Sequence, residues 1–310
     1  MTATLLEGAP LAEKITAEVR KGVEELKSQG VTPRLVAVQV GEGNPGIRGY
    51  IKGQQKSSEE CGVIHEVREF PGDITEADLL GEIGKMNEDP GIHGILLLVP
   101  MPEGINARNL QVRIAPGKDV EGMHPENMGK LFFGNQQVAP CTAMAAVELL
   151  KSSGIDLKGK EVVMVGHSEI VGKPVTMLLL QSLTESPTVT VAHIATAEAG
   201  MTEFHTKRAD VVISAVGVKP GLITADMLKD GAVVVDVATM RAPVLDEQGK
   251  PVLNKKGKPK KKWVGDVAFE KARETCSYIT PVPGGVGPVT ASILMRNLLA
   301  CARATASKMK

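Results

Sequence analysis

The chain has 310 residues, 43% of them hydrophobic and 23% charged, with a formal net charge of zero. That is enough chain for two domains with sizeable cores, and a zero net charge argues against a general affinity for nucleic acid or an acidic membrane, which needs a basic excess. Aromatic residues, at 3%, are too few for base-stacking platforms, and no apolar run approaches the ~20 residues that cross a bilayer.

The N-terminal stretch MTATLLEGAPLAEKI lacks a basic segment followed by an apolar one, so it is not a signal peptide and reads as the start of a helix. Arg34–Val40 is a β-branched run ending at Gly41 and predicts a strand. A helix follows over Ile47–Cys61, stopped by Gly62, then a strand over Ile64–Phe70 and a helix over Ala77–Met86. Gly94–Val99 is unbroken apolar sequence, as expected of a strand buried on both faces. A short helix, the loop KDVEGMHPEN and a helix over about 142–152 complete the first half.

The second half alternates more plainly. Strands are expected at Val162–Val165, Thr188–Ala192, Val211–Ala215 and Ala232–Asp236, with a helix over Ile170–Leu183 after the first. This alternation implies parallel sheets with crossover helices. Val289–Thr305 reads as an amphipathic final helix, with Pro288 suited to its first turn. Asp246–Lys262 is polar and lysine-rich, including the cluster 255–262. It reads as a solvated hairpin or loop, or as a patch for an anionic partner, which the zero net charge does not support.

Cys61, Cys141, Cys276 and Cys301 form no CxxC pair and read as reduced thiols of a cytoplasmic protein. The six histidines show no metal-binding spacing, and no protein-held metal is expected. The chemical signal lies in the glycines. The strand at 162–165 runs into Gly166-His167-Ser168-Glu169-Ile170-Val171-Gly172, a glycine-rich turn before a helix. Such a turn aims backbone N–H groups at a pyrophosphate, or simply allows tight packing; Ser168 stands where GxGxxG has its second glycine. Ser214-Ala215-Val216-Gly217 ends another strand. Ile279–Pro288 is a dense Pro/Gly loop, read either as part of a ligand crevice or as a rigid connector. Together these loops suit a flat cofactor approached closely by backbone, and hence an NAD(P)-dependent oxidoreductase.

KDVEG at 118–122, PCT at 140–142, VGHSEIVGKP at 165–174, GDV at 265–267 and TPVPGGVGPVT at 280–290 occur in the order that resembles the methylenetetrahydrofolate dehydrogenase/cyclohydrolase family. The resemblance covers nearly the whole chain. It implies a two-domain α/β fold with a cleft between the domains: an N-terminal α/β substrate domain (1–141 and 286–310) and a Rossmann-like parallel-sheet domain (142–285). It also implies a homodimer and hydride transfer from 5,10-methylenetetrahydrofolate to a nicotinamide, followed in bifunctional members by hydrolysis of the methenyl product. Carried over by motif, the catalytic positions are Tyr50, Gln54, Leu98 and Glu121. Tyr50, Val99, Pro100, Glu121, Pro283, Gly284 and Gly285 would hold the substrate. Thr142, Gly166, His167, Ser168, Ile170, Val171, His193, Ala215, Val216, Gly217, Gly287 and Thr290 would hold NAD or NADP.

The chain departs from the family pattern at the substrate site. Gln54 stands in place of the lysine of Tyr-x-x-x-Lys, Leu98 in place of a glutamine, Glu121 in place of an aspartate and Ile47 in place of a serine. Cyclohydrolysis needs a proton-moving group, and losing general acid–base help costs roughly 10²–10⁴-fold. Hydride transfer mainly needs positioning. The pattern resembles the monofunctional dehydrogenases, so dehydrogenase activity with absent or weak cyclohydrolase is expected. The alternatives are the bifunctional enzyme and a non-catalytic folate- or nucleotide-binding protein. Lys52 and Lys56, as substitutes for the missing lysine, lie off the face of Tyr50. His167 and Ile194 occupy places where NADP-using members often carry an arginine or serine, which favours NAD slightly.

Overall fold

The structure is a computed structural model that describes residues 2–43, 45–244, 246, 248, 250–254 and 257–308. In chain order its elements are β1 (Thr4–Leu5), α1 (Gly8–Ser28), β2 (Arg34–Val40), α2 (Pro45–Cys61), β3 (Ile64–Phe70), α3 (Glu76–Glu88), β4 (Gly94–Leu97), α4 (Ala107–Arg113), α5 (Pro125–Phe132) and α6 (Cys141–Lys151). The second half adds β5 (Glu161–Val165), α7 (Gly172–Leu179), β6 (Thr188–Ala192), α8 (Ile194–Glu198), α9 (Thr202–Thr206), β7 (Val211–Ser214), β8 (Val233–Asp236), β9 (Met240–Pro243), β10 (Lys261–Val264), α10 (Phe269–Thr275), β11 (Tyr278–Ile279) and α11 (Val286–Lys308). They divide into two units, Ala12–Met144 with Thr290–Lys310, and Met1–Leu11 with Ala145–Val289.

The first of these units holds a three-stranded parallel sheet in the order β3-β2-β4. Its central strand is apolar because both of its faces are covered. Val36, Val38 and Val40 pack with Leu79, Ile83 and Met86 of α3 and with Leu110 of α4. Thr75 caps α3, its hydroxyl accepting from the Asp78 N–H, a contact worth about 1 kcal/mol.

The other unit holds a six-stranded sheet in the order β1-β11-β8-β7-β5-β6, parallel throughout. From β5 the chain moves to β6 on one side, then returns to β7 on the other. β5 is therefore the point where strand order reverses, and in open α/β sheets ligands bind outside the C-terminal strand ends at that point.

Three expectations need correction. Residues 1–11 do not belong with the substrate-side unit: β1 pairs with β11, Thr4 beside Tyr278, and the Leu6 N–H donates to the Ile279 carbonyl at 2.9 Å. A two-residue strand is too short to show a period. The helix expected over Ile170–Leu183 is Gly172–Leu179 only. Ser168 Oγ accepts from the Val171 N–H at 3.2 Å and so delays the start, while Ser182 Oγ accepts from Thr184 and Glu185 and turns the chain at the other end. Leu183, fully exposed, had given a false apolar periodicity. The final helix begins at Val286, earlier than Val289, with Pro288 in its first turn. At the end of the polar segment, Lys261 and Lys262 belong to β10, which pairs antiparallel with β9, and Arg241 stacks 4.2 Å over the Trp263 ring. Lys255 and Lys256 of the cluster 255–262 lie outside the described residues.

Candidate functional site

In the three-stranded unit the site is built on α2 and on the loop after α4. Tyr50 and Gln54 are four residues apart on α2, hence on one helical face. Tyr50 is 45% exposed, whereas Gln54 is 2% exposed. Gln54 Oε1 lies 3.0 Å from His65 Nε2 on β3. Lys52 is exposed, and Lys56 is exposed and pairs with Glu60 at 3.8 Å, so neither stands in for a buried lysine. Leu98 follows β4 with its side chain buried and its N–H donating to the Val38 carbonyl. Val99 beyond it is exposed, and the Val99–Pro100 peptide is cis.

The KDVEG motif has a structural logic that places Glu121. Lys118 Nζ donates to the Met86 and Asp89 carbonyls. Asp119, fully buried, accepts from Gln111 Nε2, the His124 N–H and Asn127 Nδ2 at 2.7–3.0 Å. Gly122 has φ +68°, and a Cβ there would lie 2.5 Å from the Ala139 carbonyl carbon. Asn297 ties the two segments together, its Nδ2 donating to the Val120 and Ala139 carbonyls at 2.9 Å each. Asn297 and Asp119 were not singled out from the sequence; only their burial as polar groups reveals them.

The electrostatics follow from burial. The Glu121 carboxyl is pushed up to about 8, chiefly by desolvation, with the nearby Asp119 carboxylate adding to it. Tyr50 is raised well above the ordinary tyrosine range by burial, then by Glu121 and Cys141, with the Gln54 amide opposing. Tyr50 is therefore a neutral phenol, and Glu121 holds a proton at neutral pH.

In the six-stranded unit the loops after β5, β6 and β7 come together. Gly166 has φ +109°, and its N–H donates to the Ala192 carbonyl at 2.8 Å. A Cβ on Gly166 would stand 2.6 Å from the Ala215 carbonyl oxygen. His167 and His193, at the ends of β5 and β6, stack with centroids 4.5 Å apart and planes 12° from parallel. Asp266, unassigned by the sequence reading although it lies in GDV, is the fixed point of this cluster. It is fully buried and accepts from Ser214 Oγ at 2.8 Å and from the Val216 and Gly217 N–H groups at 2.7 and 2.9 Å. Asp236 accepts in turn from the Asp266 and Val267 N–H groups at 3.1 and 2.8 Å. Burial, with Asp266 contributing, pushes the Asp236 carboxyl up to about 7.

Ser168, Ile170 and Val171 continue the turn into α7, and Ile170 is 58% exposed. Pro283, Gly284, Gly285 and Gly287 also lie in this unit, with the Gly285 N–H donating to the Pro281 carbonyl at 2.8 Å. Thr142, on α6, and Thr290, on α11, belong to the other unit. Glycine loops in backbone contact at the reversal point, with an exposed apolar side chain beside them, fit a dinucleotide.

Comparison with known proteins agrees with this geometry. The family model described as the tetrahydrofolate dehydrogenase/cyclohydrolase catalytic domain matches residues 6–121, and its NAD(P)-binding counterpart matches residues 140–306. The chain belongs to the tetrahydrofolate dehydrogenase/cyclohydrolase family. With that membership comes the enzyme class, an NAD(P)-dependent methylenetetrahydrofolate dehydrogenase of one-carbon metabolism. The chain is 45% identical over 307 residues to the bifunctional protein FolD of Bacillus subtilis, covering 99% of this chain and all of that protein. The crystal structure of the bifunctional FolD from Campylobacter jejuni superposes with a TM-score of 0.84 at 38% identity, covering 97% of this chain and 99% of the other. The FolD of Trypanosoma brucei, described in complex with NADP and an inhibitor, gives 0.85 at 35% identity, with 98% of each chain covered. Among the described residues no helix is long and apolar enough to cross a membrane.

Proposed function

We propose that the chain oxidises 5,10-methylenetetrahydrofolate to the 5,10-methenyl form, and that the bifunctional name shared by its relatives extends to hydrolysis of that product. A bound dinucleotide supplies the hydride acceptor. The Tyr50 ring lies against the folate's aromatic part, and Glu121 accepts from the pterin amino and ring N–H groups. Val99, Pro100 and Pro283–Gly285 complete the folate site. Gly166–Val171, His193, Ala215–Gly217, Gly287, Thr142 and Thr290 hold the dinucleotide. Substrate positioning by these groups is the protein's main contribution, because the substrate nitrogen itself expels the hydride. NAD is favoured slightly over NADP by His167 and Ile194, where an arginine or serine would meet a 2′-phosphate. The homodimer implied by the resemblance and the cytoplasmic location read from the scattered cysteines belong to the same proposal.

The observation that carries the folate reading is Glu121, a half-buried acid beside a half-exposed tyrosine. A carboxylate accepts two N–H groups where the neutral acid accepts poorly. A carboxyl that loses its proton near pH 8 must give it up on binding, so the KM for methylenetetrahydrofolate is expected to fall as pH rises from 6 toward 8 and to level off above. The slope approaches about tenfold per pH unit. Glu121→Gln should raise KM and flatten the dependence. Initial rates with NAD and NADP in parallel test the whole reading. A KM insensitive to pH between 6 and 8 would remove Glu121 from its role.

The relatives favour the bifunctional reading over the expectation of absent or weak cyclohydrolase. One observation favours a slow second step: Gln54 is buried where the family's lysine stands, and neither Lys52 nor Lys56 faces it. The decay of methenyltetrahydrofolate with and without enzyme measures the second activity directly.

A further inference from the structure

Gln54 and His65 are the only pair of partly hydrogen-bonded neighbours, among the described residues, in which each side chain also keeps a buried nitrogen without a partner: Gln54 Nε2 and His65 Nδ1. The single contact between them is 3.0 Å, from His65 Nε2 to Gln54 Oε1. An amide oxygen only accepts, so His65 carries its proton on Nε2 and donates it. The Gln54 nitrogen then faces away from His65, with no hydrogen-bond partner of its own and with the Tyr50 phenol nearby. Burying two N–H bonds without a partner costs free energy, which a ligand acceptor at the Tyr50 side would recover.

We propose that His65 is a positioning residue that locks the Gln54 amide so that its nitrogen donates to an acceptor atom of the folate substrate beside Tyr50. The position held by a charged amine elsewhere in the family here presents a neutral, oriented donor. A free glutamine amide turns over between two orientations, one of which would aim an oxygen at that acceptor and repel it. His65 removes that second orientation. Desolvation holds its imidazole below the ordinary histidine range, which favours the neutral form. This inference rests on the dehydrogenase reading for the identity of the ligand, and not for the geometry of the pair.

A double-mutant cycle on the full chain tests it, read as the KM for methylenetetrahydrofolate and as the Kd for tetrahydrofolate by calorimetry. His65→Leu is expected to weaken both about 5–20-fold with kcat changed much less, the loss of one oriented hydrogen bond. His65→Gln, whose amide can still donate to Gln54, should recover most of it. In a Gln54→Leu background, His65→Leu should add nothing, because the two act as one unit. Additive losses, or equal losses in His65→Leu and His65→Gln, would overturn the proposal. Nitrogen NMR of the histidines supplies a readout independent of turnover. His65 should be protonated at Nε2 in the parent and lose that preference in Gln54→Leu. An Nδ1-protonated His65 in the parent overturns the proposal even if the protein proves to act on another substrate. Absence of methylenetetrahydrofolate turnover with an Nε2-protonated His65 would instead overturn the substrate assignment alone.

Discussion

Gln54→Lys is expected to accelerate the hydrolysis of methenyltetrahydrofolate by about 100-fold or more, within the 10²–10⁴-fold range of general acid–base catalysis. Position 54 is almost wholly buried. An amine placed there loses solvation, which disfavours its charged form and leaves a base at neutral pH. Leu98→Gln in the same protein should add to the gain by giving the amine a hydrogen-bonding neighbour. Hydride transfer, which asks no proton of position 54, should change far less. The measurement is the loss of methenyl absorbance with enzyme alone, set against NAD(P)H formation from methylenetetrahydrofolate. A parent enzyme that already hydrolyses at a rate matching its dehydrogenase, and gains nothing from the lysine, would show that another group moves the proton. The bifunctional reading would then hold with a rearranged site.

Asp266→Ala is expected to lower the free energy of unfolding by about 3–5 kcal/mol, the range for breaking a buried network, and to weaken dinucleotide binding. The change removes the shared acceptor of the Ser214 hydroxyl and of the Val216 and Gly217 N–H groups, and each orphaned donor costs about 1–3 kcal/mol. Loss of the carboxylate should also lower the Asp236 pKa from about 7, since Asp266 is one of the groups raising it. The sign of the pH effect follows. A carboxyl whose folded pKa exceeds its unfolded value binds a proton more tightly in the native state. The contribution of Asp236 to stability therefore falls as pH rises from about 4 to about 7 and levels off beyond, with a slope of up to about 1.4 kcal/mol per pH unit. Asp266→Ala should shallow that slope. Denaturant midpoints across this range, with calorimetric titration of NAD and NADP, measure both effects. An unchanged midpoint would mean that the loop holds itself.

Much of this was legible in the sequence, for physical reasons that differ by element. β2, β3 and β6 were placed to the residue, because β-branched runs bounded by glycine or polar residues leave little choice of period. The turn at Gly166 was legible from strand, glycines and helix in order. β1 and β11 were not, since two residues carry no period and their pairing joins the two ends of the chain. The end of α7 was misplaced because Leu180 and Leu183 continue an apolar spacing although both are exposed. In the site, Tyr50 and Gln54 were readable through the resemblance to the family's Tyr-x-x-x-Lys pattern, whose spacing puts both on one helical face. Asp119, Asp266, Asn297 and His65 were not. Asp266 and Asn297 act through partners distant in sequence, the nearer partners of Asp119 and His65 follow no helix or strand period, and no local pattern distinguishes a buried acid from a solvated one.

The pairing of β1 with β11 bears on how the protein is made. Thr4 leaves the ribosome about 270 residues before Tyr278, an interval of roughly 15–55 s at ordinary rates of synthesis. Throughout that time the first strand has no partner, and β8 presents a bare flank once the strands from β5 onward have formed. Such a flank invites pairing with other chains. A bulky fusion ahead of residue 2 should therefore lower soluble yield in expression, whereas the same fusion after residue 308 leaves the last seam of the sheet free to close.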